Sequence, residues 1–229
     1  MKKYIYMMTG NEVWFDAAKY LYQNKIAKPI MWLGDDRHFK KAKEIFSDDV
    51  LFMDTFVHYQ ENINQINYLD EKSEFFFSDN YLRAKDRCLK MMDRLDLYGS
   101  FSRQDREVVF NKIAIFLLKK LSKEKPDALV MAEIAHSHAQ YLVLEVCMFL
   151  NIEIVKFNTW ILGPLLYLES LRTGNKFEVD FELDQEISKT IEKEIHNYVD
   201  RVVQKKLDGN FELDYMKKQR LSLNIKNKV

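Results

Sequence analysis

Cysteine is scarce in this chain of 229 residues: only Cys88 and Cys147 occur. Both fall in helix-like apolar stretches, so they read as small core residues of a protein kept reduced, with no disulfide between them. Net charge is absent as well. The 35 lysines and arginines balance 35 aspartates and glutamates, so no overall field draws the protein to nucleic acid or to an anionic membrane. The best candidate for a local basic stripe, Lys217–Lys228, reads as a solvated tail. No run approaches the roughly 18 apolar residues of a membrane span. The chain enters strand-like sequence after only Lys2 and Lys3, without the apolar core and cleavage site of a signal peptide. Internal repeats and low-complexity tracts are lacking, and so are a G-x-G-x-x-G fingerprint, a Walker loop and a paired-cysteine zinc site. These absences exclude a disulfide scaffold and a membrane-spanning protein, and they argue against a nucleic-acid binder. A soluble cytoplasmic protein is expected, with work at the inner face of a membrane left open.

What the sequence does contain is an alternation of strand-like and helix-like periods. Lys3–Met8 (KYIYMM) reads as a strand. Glu12–Asn24 carries apolar residues at Val13, Phe15, Ala17, Ala18, Leu21 and Tyr22, the spacing of a helix. A second strand at Pro29–Leu33, a helix from Arg37 to Phe46 and a third strand at Val50–Met53 complete a β-α-β-α-β order. That order implies a parallel sheet with right-handed crossovers. Residues 55–124 form a mostly helical insertion, with helices at about Asn80–Leu97 and Arg103–Lys123. Gly99-Ser100 separates them, and Ser102 with Asp105 forms a plausible cap. Glu74–Phe77 (EFFF) fits a strand and a buried helix start equally well. Lys125-Pro126-Asp127 ends the second helix, and the sheet resumes at Ala128–Ala132, followed by a helix at Ala139–Leu150 and a strand at Ile152–Phe157. Gly163-Pro164 bends the apolar stretch Asn158–Ser170. The expected architecture is α/β, a three-layer Rossmann-like parallel sheet of about five strands over residues 1–182. Residues 183–229 supply a long helix, Leu183–Leu207, and a basic tail. The stripe Ile187, Ile191, Ile195, Val199, Val202 and Val203 suits packing on the domain or on a partner, including a second copy.

The stretch ALVMAEIAHSHAQYLVLEVCMFLNIEIVKFNT (Ala128–Thr159) carries the most chemistry. It reads as strand, polar loop, helix and parallel strand, and ligands of such units bind beyond the carboxyl ends of the strands. Glu133 and His136 fall there. A carboxylate and an imidazole at that spacing can share a proton, so His136 reads as a general base and Glu133 as its orienter, with the reverse assignment also open. The plain alternative is that Glu133 caps the helix and His136 bonds backbone. Glu133, His136 and His138 together offer three metal ligands, but alternate residues of one short loop seldom converge, and no metal is expected. Ser137 lacks the flanking glycines of a nucleophile elbow. Thr9-Gly10-Asn11, at the first strand-to-helix turn, offers backbone N–H groups to a phosphate or a sugar hydroxyl, or is simply a tight turn. Asp35, in Gly34-Asp35-Asp36, sits where an acid can bind ribose hydroxyls or cap a helix. Thr159 and Trp160 follow the fifth strand, where the indole offers either a stacking face or core packing. Trp14, Trp32 and the methionines Met91, Met92, Met131 and Met148 read as core.

Three segments resemble the amino-terminal half of GT-B-like glycosyltransferases of bacterial capsule and surface-polysaccharide biosynthesis. They are the opening strand and helix with IAKPIMWLGDDRHFKKAKEIF (Ile26–Phe46), the block PDALVMAEIAHSHAQYLVLEVCMFLNIEIVKF (Pro126–Phe157) with its acid-x-x-His step at Glu133 and His136, and the helix leading to FELDYMKKQ (Phe211–Gln219). The resemblance implies a two-Rossmann architecture, an inverting metal-independent transfer, and a sugar acceptor or nucleotide-sugar as ligand, with no further cofactor. In such enzymes the donor docks on the carboxyl-terminal domain, and this chain ends where that domain would begin. The expectation is therefore a half that works with a second GT-B-like domain, or one that acts without it. Two other functions compete: a non-catalytic module that oligomerises or docks through Leu183–Leu207, and a small-molecule hydrolase using Glu133, His136 and a metal. The first reading requires Gly10, Asp35, Glu133, His136 and Thr159 to converge on one cleft.

Overall fold

Alternation along the strands sorts the apolar side chains onto two faces of one sheet. In the computed structural model, residues 1–7, 12–34, 36–46, 50–54, 74–96, 98–132, 134–159, 166–176 and 185–208 are described. The first five strands are β1 (Lys2–Met7), β2 (Ala27–Gly34), β3 (Leu51–Asp54), β4 (Ala128–Met131) and β5 (Glu153–Thr159). A sixth, β6 (Leu166–Ser170), stands where the sequence predicts only a bent apolar segment. The sheet order is β3-β2-β1-β4-β5-β6. The pairings β1–β2, β1–β4, β2–β3 and β4–β5 are parallel. The fold is therefore α/β and Rossmann-like, with helices on both faces and six strands rather than about five.

Successive residues of β1 face opposite ways, as the period of two requires. Ile5 and Met7 join one core with Met31, Leu33, Leu129, Met131 and Ile154. Tyr6 joins the other with Trp32. Helix α1 (Glu12–Gln23) and helix α2 (Asp36–Phe46) cover the Tyr6 face with Phe15, Ala18, Ala42 and Phe46. The opposite face is covered by α3 (Asp79–Leu95), α4 (Arg103–Glu124) and α5 (His138–Phe149). Pro29 has a structural consequence. It offers no N–H to the ladder, and the register steps from Tyr4↔Pro29 to Ile5↔Met31, leaving Ile30 as the extra residue of a bulge. Ile30 and Met31 consequently both enter the same core.

Capping chemistry fixes the helix ends. Ser102 and Asp105 form a reciprocal capping box on α4, as the sequence predicts. Lys125 closes that helix in the left-handed conformation at φ 50°. Asp127 then ties the helix exit to the start of β1: its N–H donates to the Lys3 carbonyl at 2.8 Å, and its carboxylate accepts from the Lys3 N–H at 2.7 Å. Glu74–Phe77, which the sequence leaves open, is a single 3₁₀ turn with Phe75 buried. Cys88 and Cys147 are free and buried, and burial raises both thiol pKa values.

The chain divides into two compact units, Met1–Asn158 with Leu168–Phe177, and Thr159–Tyr167 with Glu178–Val229. The second contains α6 (Gln185–Leu207), a helix of 23 residues in which Val203 and Leu207 are exposed. Among the described residues no helix is long and apolar enough to cross a membrane.

Candidate functional site

The strand order reverses direction between β1 and β4, because β1 lies between the strand that follows it and the strand that follows the helical insertion. A doubly wound sheet opens a crevice at that point, outside the carboxyl ends of the strands. Here the two ends are level: Met7 is in register with Met131, and the Ala132 N–H donates to the Met7 carbonyl at 3.2 Å. The carboxyl ends of β2 and β5 lie on the same edge, since all the pairings that join these strands are parallel.

The connection from β4 to α5 leaves this edge with a definite order. Ile134 is exposed, Ala135 is buried, His136 is exposed and Ser137 is buried. Ser137 is the N-cap of α5. Its hydroxyl accepts from the Gln140 N–H at 3.2 Å, while the Gln140 side-chain oxygen accepts from Ser137 N–H at 3.2 Å and from His136 N–H at 2.8 Å. The cap thus belongs to Ser137 and Gln140, which corrects the reading of Glu133 as the helix cap. The His136 main chain is held by Gln140, and its side chain is exposed.

His138 is the first residue of α5 and is half-buried. Burial pushes its pKa down to about 4, so the ring is neutral at physiological pH. Its Nδ1 is buried with no hydrogen-bond partner, and its carbonyl accepts from the Cys88 thiol at 3.2 Å. Two imidazoles, one exposed and one neutral and half-buried, therefore stand two residues apart beside the switch point. Among the described residues no group of three histidines, cysteines, aspartates or glutamates is arranged to hold a metal.

Several predicted site residues lie outside the described residues: Thr9, Gly10, Asn11, Asp35, Glu133 and Trp160. Thr159 is the last residue of β5, and its side chain is also outside them. The carboxyl ends of β1, β2 and β4 lie on one edge of the sheet, and His136 and His138 are the predicted residues whose side chains are described. Asp36 is the first residue of α2. Trp32 is buried in the core as predicted, and Trp14 packs half-buried against that core and against Phe157, with ring centroids 4.4 Å apart.

Sequence reasoning passed over a buried charged group on α5, Glu145. Its carboxylate accepts from the Tyr141 hydroxyl at 2.7 Å and from the Asn80 amide at 2.9 Å, and it pairs with the Arg83 guanidinium at 3.3 Å. Arg87 stacks over the Tyr141 ring with its guanidinium carbon 5.0 Å from the centroid. Burial and the Glu145 carboxylate raise the Tyr141 pKa to about 12. The network clamps α3 to α5. Its signal in the sequence is a lone acid in an otherwise apolar helix, HAQYLVLEVCMF, with a tyrosine one turn before it.

Comparison with protein-family models and with curated proteins finds no match for this chain.

Proposed function

We propose that the protein is a glycosyltransferase-type domain of surface-polysaccharide assembly that binds a sugar acceptor or nucleotide-sugar at the carboxyl edge of its sheet. The observation that carries this reading is the exposed His136 on the capped β4–α5 turn, beside the point where the strand order reverses. His136 acts as general base. It takes the proton of an acceptor hydroxyl as that oxygen bonds to the anomeric carbon, and the bond from that carbon to the nucleotide phosphate breaks with its electron pair leaving on phosphate. Glu133 orients the imidazole. The donor half is a second Rossmann-like domain or partner, and neither metal nor cofactor takes part in the step.

The test is thermal unfolding with nucleotides, nucleotide-sugars and acceptor sugars, repeated with EDTA and with His136→Ala. A ligand of micromolar affinity at millimolar concentration stabilises the native state by ~4 kcal/mol, which is readily measured. The reading expects a shift that survives EDTA and disappears in His136→Ala, with the unliganded melting temperature unchanged. A shift retained in His136→Ala, or no shift with any of these compounds, sinks it.

A further inference from the structure

Helix α1 sends one aromatic side chain away from the strands that the helix joins. α1 leads from β1 to β2, yet Trp14, in its first turn, meets Phe157 of β5 edge-on, with ring centroids 4.4 Å apart. The sheet order places β4 between β1 and β5, so the indole reaches over β4. Val130 pairs with Val155, which sets Phe157 level with Ala132, just past the end of β4. The Trp14–Phe157 pair therefore stands at the switch point, on the α1 side of the sheet. The turn that carries His136 leaves the same strand end for α5, on the opposite side. Burial differs between the two sides as well. Leu129, Met131 and Ile154 are closed off on the α5 side, whereas Val130, Ala132, Val155, Phe157 and Trp14 are each only half-buried. The interior ring pair Trp32 and Phe46 is fully buried; Trp14 and Phe157 keep part of their surface open.

We propose that Trp14, backed by Phe157, is the wall on which the sugar ring of the acceptor stacks. The proposal rests on the glycosyltransferase reading and adds to it the part of the acceptor that is bound. A pyranose ring has one face of C–H bonds and a rim of hydroxyls. The switch point has the matching division: an aromatic wall on the α1 side and an exposed imidazole on the α5 side. Binding sites of small ligands are built in this way, from apolar and aromatic walls with a few placed polar groups. The ring beside His136 is the one whose hydroxyl gives up its proton, which selects the acceptor sugar over the nucleobase of the donor. The edge contact with Phe157 holds the indole in place, so its face is presented with little loss of side-chain freedom on binding. Trp14 takes no part in proton transfer; it decides which ring is held.

The test is saturation-transfer NMR on the full chain with cellobiose and UMP as probes. Cellobiose is expected to bind, with transfer strongest to the C–H protons of one ring face. Trp14→Leu should weaken that binding about tenfold, as expected for the loss of an aromatic stacking contact, while Trp14→Phe keeps most of it. Fluorotryptophan labelling supplies a readout that does not depend on the stability of Trp14→Leu. The chain has 3 tryptophans, and the resonance absent from labelled Trp14→Phe is that of Trp14. Cellobiose should shift it and leave the resonance of the buried Trp32 in place. A Trp14 resonance unmoved at saturating cellobiose overturns the proposal. So does cellobiose binding that is unchanged in Trp14→Leu and lost in His136→Ala, which leaves the transferase reading standing. UMP binding that falls in Trp14→Leu as cellobiose binding does makes the wall a nucleobase site and overturns the proposal too. Wild type that binds neither probe overturns it as well, while a nucleotide-sugar shift lost in His136→Ala would still support the transferase reading.

Discussion

The two faces of the sheet solve the same packing problem with different chemistry. Under α1 and α2 the core is aromatic: Trp32 stacks on Phe46 with centroids 5.8 Å apart, and Phe15, Tyr22 and Tyr6 meet this pair edge-on or tilted. Under α3, α4 and α5 the core is mostly aliphatic, with Glu145, Gln140 and Ser137 buried on α5 and bonded to neighbours. The aromatic face gains from ring area and quadrupole geometry, and it leaves Tyr6 Oη and Trp32 Nε1 buried without partners. The other face holds its helices in one relative position, because Glu145 reaches Asn80 and Arg83 only in a single alignment of α3 on α5. Directional bonds thus fall on the face whose α5 starts at the candidate site. The contacts described between α1, α2 and the sheet are ring contacts, which fix shape rather than direction.

The largest expected effect is on the aromatic side. Phe46→Ala should cost about 4 kcal/mol, because a fully buried ring leaves a cavity that its rigid neighbours cannot fill. Chemical unfolding measures this directly. On the other face Glu145→Ala should cost about 3 kcal/mol, leaving the Tyr141 hydroxyl and Asn80 amide without their acceptor. The two losses should differ in rescue. Glu145→Leu combined with Tyr141→Phe should recover most of the second, since replacing both members of a polar pair by apolar groups is far milder than removing one. A cavity at Phe46 has no such partner substitution. Equal rescue on both faces would break the comparison.

Acidity probes the α5 face next. His138 is held neutral with a pKa of about 4, against the usual 6.5. Between these values the unfolded chain binds a proton that the folded protein does not, so stability rises with pH across that window and is lost as pH falls through it. His138→Gln should flatten the dependence between about pH 6.5 and 4, read from melting temperature in a buffer series. Below about pH 4 a second loss begins for another reason. Asp96 is held down at about 2 by the Ser100 and Phe101 N–H groups and Arg106, and Asp105, Glu107 and Glu124 are also lowered. Protonating them removes those bonds in the His138 variant and wild type alike.

Local rules were enough to read much of this fold. The strand-and-helix alternation, the Ser102–Asp105 cap and the helical insertion depend on residues a few positions apart, where spacing decides the outcome. The strand β6 was hidden because Asn158–Ser170 is apolar on both sides of Gly163-Pro164, so neither period nor punctuation marks where a strand begins. β2 begins at Ala27, two residues before its predicted start at Pro29, because the bulge at Ile30 absorbs the missing donor. At the candidate site, the strand-end position of His136 was legible from the pattern of Ala128–Thr159, but the owner of the cap was not. Ser137 with Gln140 meets the capping-box spacing as written, and attention to the charge on Glu133 obscured it. The lone acid and its tyrosine were there to be read, but the partners Asn80 and Arg83 lay beyond sequence reading, since only the tertiary fold joins them to Glu145.

The finest test uses one substitution on both faces. Tyr141→Phe removes a hydroxyl that donates to a buried carboxylate at 2.7 Å, so it should destabilise the protein by about 1.5 kcal/mol. Tyr6→Phe removes a hydroxyl that is equally buried but has no partner, and whose pKa is raised by burial. There the native state loses no bond and the unfolded state loses only a hydration site, so the change should be neutral or stabilising by up to about 1 kcal/mol. The ring, its edge contacts and its volume are kept in both variants, so the difference isolates the hydroxyl's partner. Urea unfolding of the two single variants and the double variant should give additive effects, because the sheet separates the two sites. Destabilisation by Tyr6→Phe of the same size as by Tyr141→Phe would mean that the Tyr6 hydroxyl holds a buried water, and the aromatic face would then have a polar link of its own.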